Sequence, residues 1–185
     1  MTTGTLLIIT AIVVIVAIVA WYLLRTERSK KLRSQFGPEY THAIEEYGNQ
    51  AKAEEALIAR QKRREKLQIR SLSIQERENY ARQWYEVQSH FVDDPAGSIQ
   101  DADRLVCEAM DARGYPMTEF EDRADDLTVD YPHVVRNYRA AHSIASREDE
   151  GQTSTEDLRQ ALVYYRDLFD ELLEAHVAGP REIRR

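Results

Sequence analysis

The sequence predicts an all-α protein with an N-terminal transmembrane helix, a charged helical neck and a C-terminal bundle of about five helices. Three observations carry this expectation. Residues 5–24 form an apolar run without a charged side chain. Beyond it, apolar residues recur at helical spacing as far as Leu173, and no stretch alternates as a strand would. The 7 glycines and 5 prolines fall mostly between those stripes rather than inside them.

The first element is the run 5–24. Its twenty residues, at about 1.5 Å each, reach roughly the 30 Å of a hydrocarbon core. Thirteen of them are Leu, Ile or Val. At about −0.3 to −0.6 kcal/mol apiece these favour insertion by roughly 4 to 8 kcal/mol, an upper bound because end positions count less. Trp21 and Tyr22 stand where amphipathic rings prefer the headgroup layer. A cleaved signal peptide fits poorly: residues 1–4 carry no basic side chain, and Ile18-Val19-Ala20 places bulk where cleavage requires a small residue. A retained single-pass anchor is expected. Arg25, Arg28, Lys30, Lys31 and Arg33 follow at once, against Glu27 alone. That bias puts residues 1–4 outside as a short tail and the remainder in the cytoplasm, with the five basic residues at the lipid headgroups.

The neck, residues 25–70, holds twelve Lys/Arg and seven Asp/Glu, for +5; residues 71–185 hold thirteen and twenty-five, for −12, which sums to the net −7. An acidic domain on a basic neck is a poor binder of nucleic acid, because phosphates call for the opposite sign. Arg60-Gln-Lys-Arg-Arg64 is the one local exception. Gly37-Pro38 breaks the juxtamembrane helix. Tyr40, Ile44, Tyr47, Ala51 and Ile58 then give a partial stripe, interrupted at Glu54. Fewer than three clean heptads argue for a charged stalk rather than a coiled coil. As one straight helix, residues 38–68 would reach about 45 Å.

The bundle is expected over residues 71–177. Ser73-Ile-Gln-Glu76 is a capping box, in which the serine oxygen meets an orphan N–H and the glutamate reaches back. Tyr80, Trp84, Val87 and Phe91 make the apolar face that follows. Asp94-Pro95 opens the next helix as cap and first residue. Its stripe is Ile99, Ala102, Val106, Ala109 and Met110, and Gly114 ends it in a left-handed conformation. Thr118-Glu-Phe-Glu121 is a second capping box, ahead of Phe120, Ala124 and Leu127. After Tyr131-Pro132 a helix carries Val134, Tyr138, Ala141 and Ala145. Thr153-Ser-Thr-Glu156 is a third box, and Leu158, Ala161, Leu162, Tyr165, Leu168, Phe169, Leu172 and Leu173 give the broadest face. Residues 178–185 read as a flexible basic tail.

Chemistry is sparse. Cys107, the single cysteine, excludes an internal disulfide and a cysteine-rich zinc site and reads as a small buried side chain. Asp122, Asp125, Asp126 and Asp130 fall on one side of a helix, where clustered carboxylates hold a divalent cation such as Mg²⁺. The competing account is a solvated acidic face near a helix start. Glu39-Tyr-Thr-His42 has the spacing of half a di-iron site but lacks its second half. His133, His142 and the pair Glu86/His90 offer general bases without a visible partner. No nucleophile elbow, phosphate loop or H-E-x-x-H occurs, so neither a catalytic residue nor a cofactor is expected. Arg113, Tyr115, Tyr131 and Tyr164 are of the types enriched at protein interfaces. The same residues also serve as bridges between core and solvent.

Phe36-Gly-Pro-Glu-Tyr40, Leu67-Gln-Ile-Arg70, Phe91-Val-Asp-Asp-Pro95, Arg113-Gly-Tyr-Pro116 and Tyr138-Arg-Ala-Ala-His142 resemble a set of uncharacterised bacterial single-span, membrane-anchored α-helical proteins. The resemblance covers nearly all of the chain after the anchor. It implies a bacterial inner-membrane setting and a shared helical domain, and brings no activity with it. The expectation is a membrane-tethered interaction domain, scaffold or adaptor, that docks a protein partner or itself. The alternative is a small membrane-bound enzyme or ligand sensor with a divalent metal at the aspartates.

Overall fold

A computed structural model describes residues 3–148 and 153–174, with side chains from residue 11 onward. Among the described residues there are eight helices and no strand. They are α1 (Thr3–Phe36), α2 (Pro38–Tyr47), α3 (Gln50–Arg64), α4 (Ile74–His90), α5 (Pro95–Arg113), α6 (Phe120–Asp130), α7 (Val135–Glu148) and α8 (Thr155–Glu174). The all-α class is as expected. The chain divides into two compact units between Leu57 and Ile58, a boundary inside α3.

The first unit begins with the long helix α1. Among the described residues no helix is long and apolar enough to cross a membrane. Of the expected span, the described side chains are Ala11–Leu24, about 21 Å of helix. The side chains of Thr5–Thr10, which would complete it, lie outside the described residues. So do residues 1–2 of the expected outer tail and the whole tail 178–185.

Beyond the apolar stretch the neck is not one straight helix, as the sequence suggested. Gly37 takes a positive φ of 49° before Pro38 starts α2, and Gly48, at φ 73°, ends α2 by donating its N–H to the Ile44 carbonyl at 2.9 Å. Both angles suit glycine because it has no Cβ to clash. The chain folds back, and Leu32, Phe36, Tyr40, Ala43, Ala53 and Leu57 are each buried. Glu54, which reads as an interruption of the stripe, is itself buried. One of its carboxylate oxygens accepts from Ser29 Oγ at 2.6 Å, Tyr40 OH at 2.7 Å and Gln50 Nε2 at 2.8 Å. Burial pushes this carboxyl up, but those three donors together outweigh it and hold it below the usual carboxylate range.

The second unit is the bundle. α8 packs against α5 and α7, α4 lies against α5, and α6 lies against α7. Trp84 of α4 stacks on Phe169 of α8 at 4.6 Å between centroids, and Tyr138 meets Tyr165 edge-on at 6.1 Å. The apolar stripes read from the sequence supply most of this core: Ile99, Ala102, Val106, Ala109 and Met110 of α5 are all buried, as are Leu158 to Leu172 at helical spacing on α8. The first capping box forms in full, with Ser73 N–H donating to Glu76 at 2.7 Å and Glu76 N–H to Ser73 Oγ at 3.2 Å. The Arg70 guanidinium and then this cap draw the Glu76 carboxyl down to about 2.

Two expected boxes differ. At α8 the reciprocal pair is Ser154 with Asp157, one residue later than expected, while Glu156 turns to Arg159. At α6 the cap is Glu119 without a side-chain bond, so Thr118 does not serve. Gly114 ends α5 at φ 95°, and a Cβ there would meet the Gln68 carbonyl oxygen at 2.7 Å. The close approach lets Arg70 N–H donate to the Arg113 carbonyl at 2.9 Å, which fixes the strand-free segment between α3 and α4 onto the end of α5.

Candidate functional site

The aspartates expected to gather a metal lie on successive turns of α6. Across from them, the last two turns of α3 present Arg60, Arg63 and Arg64, the run that had suggested phosphate binding. Residues at i, i+3 and i+4 share a helix face, so the two rows meet in register. Arg60 Nη2 lies 2.8 Å from Asp125 Oδ1, and Arg63 Nε 2.5 Å from Asp126 Oδ1. Arg63 also reaches the Asp122 carboxylate at 3.6 Å and donates to its backbone carbonyl at 3.3 Å. Arg64 pairs with Asp130, which also accepts from Tyr115 OH at 2.5 Å. Arg139 of α7 adds a second guanidinium to Asp125 at 3.1 Å.

Arg139 also reaches the exposed Glu121 at 3.8 Å, so two charged features read from sequence as separate sites are one lattice of paired charges. Arg60 and Asp126 are buried within it. Burial pushes the Asp126 carboxyl above its ordinary value, against the pull of Arg63. Among the described residues no group of three or more His, Cys, Asp or Glu side chains is placed to hold a metal ion. The lattice is a fastening between α3, α6 and α7.

The residues expected at a partner interface are also placed inside. Arg113 is 2% exposed. Its Nη1 donates to the Leu172 carbonyl at 2.8 Å, and its guanidinium stands over the Tyr131 ring at 5.8 Å. The carbonyls of the last turn of a helix lack intrahelical donors, and Arg113 satisfies one of them at the end of α8. Tyr115 and Tyr131 are buried, and Tyr164 is half-buried against the core. Arg113, Tyr115 and Tyr131 are thus taken up inside the bundle, whereas Tyr164 keeps part of its surface exposed.

The other candidates scatter. Glu39 is buried while His42 of the same motif is exposed. His133 Nε2 lies 3.0 Å from Glu171 on the outside of the bundle. His142 stacks on Phe120 at 3.6 Å, nearly parallel, and burial lowers its imidazole below the usual value. It lines a cavity of about 170 Å³ between α5 and α7 with Asp103 and Ser146 among its walls. Cys107 is half-buried, and burial raises its thiol, so it is a poor nucleophile at neutral pH. Arg25, Arg28, Lys30, Lys31 and Arg33 are all exposed on α1; Arg25 lies over the Trp21 ring at 5.3 Å.

One surface was missed. One exposed face of α4, turned away from Trp84 and Val87, carries Ile74 (62% exposed), Ala81 and Tyr85 (73%), and Val92 (84%) is exposed in the turn beyond the helix end at His90. At 100° per residue the spacing of seven and four brings Ile74, Ala81 and Tyr85 within about 20° of one line. Ala81, Arg82, Tyr85 and Glu86 line an open hollow of about 420 Å³ at its centre. The signal was present in the sequence, overshadowed by the longer aromatic stripe on the same helix. No protein-family model, curated protein or solved structure matches this chain.

Proposed function

We propose that this chain is a single-pass, membrane-tethered protein-interaction domain, a scaffold or adaptor whose helical bundle lies in the cytoplasm of a bacterial cell. One observation carries the tether. From Ile12 to Leu24, eleven large apolar side chains are each more than half exposed, around the whole circumference of α1. An amphipathic helix hides its apolar residues against a core; a helix apolar all round belongs in lipid or in a deep core. Fully burying side chains of this kind is worth about 1.5–3 kcal/mol each, and within the described residues nothing covers these. With Thr5–Thr10 the run has the length of a bilayer core, and the five exposed basic residues that follow favour a cytoplasmic end. The interaction role rests on the outer face of α4, an ordered apolar surface that the bundle does not use.

Full-length protein in a lipid extract should float with liposomes and resist alkaline extraction; removal of residues 5–24 should abolish both. A phosphatase fused after Arg185 should be inactive and a cytoplasmic reporter there active. Recovery of the full chain in the soluble fraction would overturn the tether, and the reverse reporter pattern the orientation.

A further inference from the structure

We infer, on the premise of the tether proposed above, that the turn between α2 and α3 rests on the lipid headgroup layer beside α1. Residues 47–49 would then give the chain a second membrane contact, one that does not span. α1 is continuous from Thr3 to Phe36, so levels along it are measured from the end of the apolar run at Leu24. Thr26 stands about 3 Å beyond that end, Ser29 about 7.5 Å and Phe36 about 18 Å. The headgroup layer takes up about 5–7 Å on each side of the hydrocarbon core. A segment held between the levels of Thr26 and Ser29 therefore lies at the headgroups.

The contacts of the fold-back hold the turn at that level. Arg33 lies over the Tyr40 ring at 5.4 Å, which sets the start of α2 beside the far end of α1. The 10 residues of α2, about 15 Å of helix, match the stretch of α1 from Phe36 back to Thr26. Gly48 and Asn49 then link α2 to α3, and a link this short joins antiparallel helices. Gln50, the first residue of α3, donates from Nε2 to Ser29 Oγ at 3.2 Å. One turn later Glu54 accepts from Ser29 Oγ at 2.6 Å and from Tyr40 OH at 2.7 Å. The start of α3 is thus pinned at Ser29, and the turn before it lies on the bilayer side of that bond.

Exposure along α1 marks the same edge. Side chains 11–25 are all exposed, Thr26 and Ser29 are half-buried, and Leu32 and Phe36 are buried. Spaced three, three and four, these last four form one face, and its cover begins two residues past the apolar run. The turn also has the chemistry of the interface. Tyr47 is 37% exposed, and a ring carrying a hydroxyl prefers the headgroup level. Charge does not select the lipid: residues 25–57 hold six Lys/Arg and six Asp/Glu. Glu45 and Glu46 before the turn and Lys52 after it are all exposed. A zwitterionic bilayer is therefore sufficient for the contact.

The test uses full-length protein on a Cys107→Ala background in phosphatidylcholine vesicles. Leu23→Cys, Ser34→Cys and Tyr47→Cys, one at a time, each carry a thiol-linked fluorophore; all three positions are exposed. Quenching is read with a nitroxide on the lipid headgroup and, separately, with iodide present on both sides of the membrane. We expect headgroup quenching at position 47 to exceed that at 34, which stands about 15 Å beyond Leu24, on the order of threefold. Iodide should quench in the reverse order. Glu46→Cys repeats the reading with Tyr47 in place, so a turn disturbed by the first substitution does not decide the result. Equal quenching at 46, 47 and 34, with the Leu23→Cys probe shielded from iodide, would overturn the contact and leave the tether standing. A Leu23→Cys probe open to iodide would overturn the tether and the contact with it.

Discussion

The two units each bury acidic side chains, and they do so by different chemistry. In the first, Glu54 is held by three uncharged donors, Ser29, Tyr40 and Gln50. In the second, Asp122, Asp125, Asp126 and Asp130 are held mainly by guanidiniums. The outcome for the carboxyl differs accordingly. Glu54 stays below its ordinary value despite burial, whereas Asp126 rises above its own despite Arg63. Several short hydrogen bonds converging on one oxygen stabilise a charge better than a single ion pair whose arginine is still partly in water. The Arg63 side chain is 42% exposed while that of Asp126 is 2% exposed, so the pair is desolvated unevenly. An unevenly buried pair is costly to break from one side and cheap to replace from the other.

That asymmetry gives the largest expected effect. Arg63→Met leaves Asp126 buried with its principal partner gone and should cost the second unit about 3–5 kcal/mol. Asp126→Asn leaves an exposed arginine and should cost much less, and adding it to Arg63→Met should restore most of the loss. Urea unfolding followed by Trp84 fluorescence in a Trp21→Phe background reads only the second unit. If the two single variants proved equally damaging, the uneven-burial account would be wrong.

Next in size is Glu54→Ala, which strands the Tyr40 hydroxyl among buried groups and should cost the first unit about 1–3 kcal/mol. Glu54→Gln keeps an acceptor and should cost less. Hydrogen exchange of the α2 and α3 amides is the readout, and unchanged protection in the alanine variant would show that the carboxylate does not hold the fold-back.

The smallest effects separate the units by pH. Glu54 is depressed in the folded state, so its contribution is complete above the ordinary 4.5 and is lost as pH falls through the lower folded value. His142 is depressed as well, from 6.5, which means the folded bundle prefers the neutral ring. Its contribution is complete above 6.5 and declines as pH falls below it. Acid should therefore loosen the second unit first, by a small amount as pH falls below 6.5, and Glu54 should begin to loosen the first unit only as pH falls below 4.5. His142→Phe should remove the decline that begins below pH 6.5 from urea midpoints measured across pH; a decline that persists would point to another group.

What the sequence made legible was most of what local periodicity sets and those caps whose partners follow the simplest spacing. The stripes of α5 and α8, the Ser73/Glu76 box, the Asp94-Pro95 start and the Gly114 stop depend on neighbours a few residues apart. Burial that depends on distant partners was not legible. Arg63 and Asp126 are 63 residues apart in sequence, and nothing near either one announces the other, so one lattice of paired charges read as two charged sites. Glu54 looked like a break in a stripe because two of its three donors lie on other helices, Ser29 on α1 and Tyr40 on α2, and only Gln50 on its own. Arg113, Tyr115 and Tyr131 have an interface composition because the chemistry that suits an interface also suits a helix end buried inside a bundle. Gly48, by contrast, was a local signal that a straight-stalk reading passed over.

The grip of Arg113 on the Leu172 carbonyl has a consequence for how short this bundle can be made. The guanidinium reaches a fixed point on α8, so it acts as a gauge of that helix's length. A chain ending at or beyond Glu174 keeps the acceptor; one cut before Leu172 leaves a buried cation without that carbonyl. Trimming the polypeptide from its C-terminal side should thus be tolerated down to that carbonyl and then fail abruptly rather than by degrees.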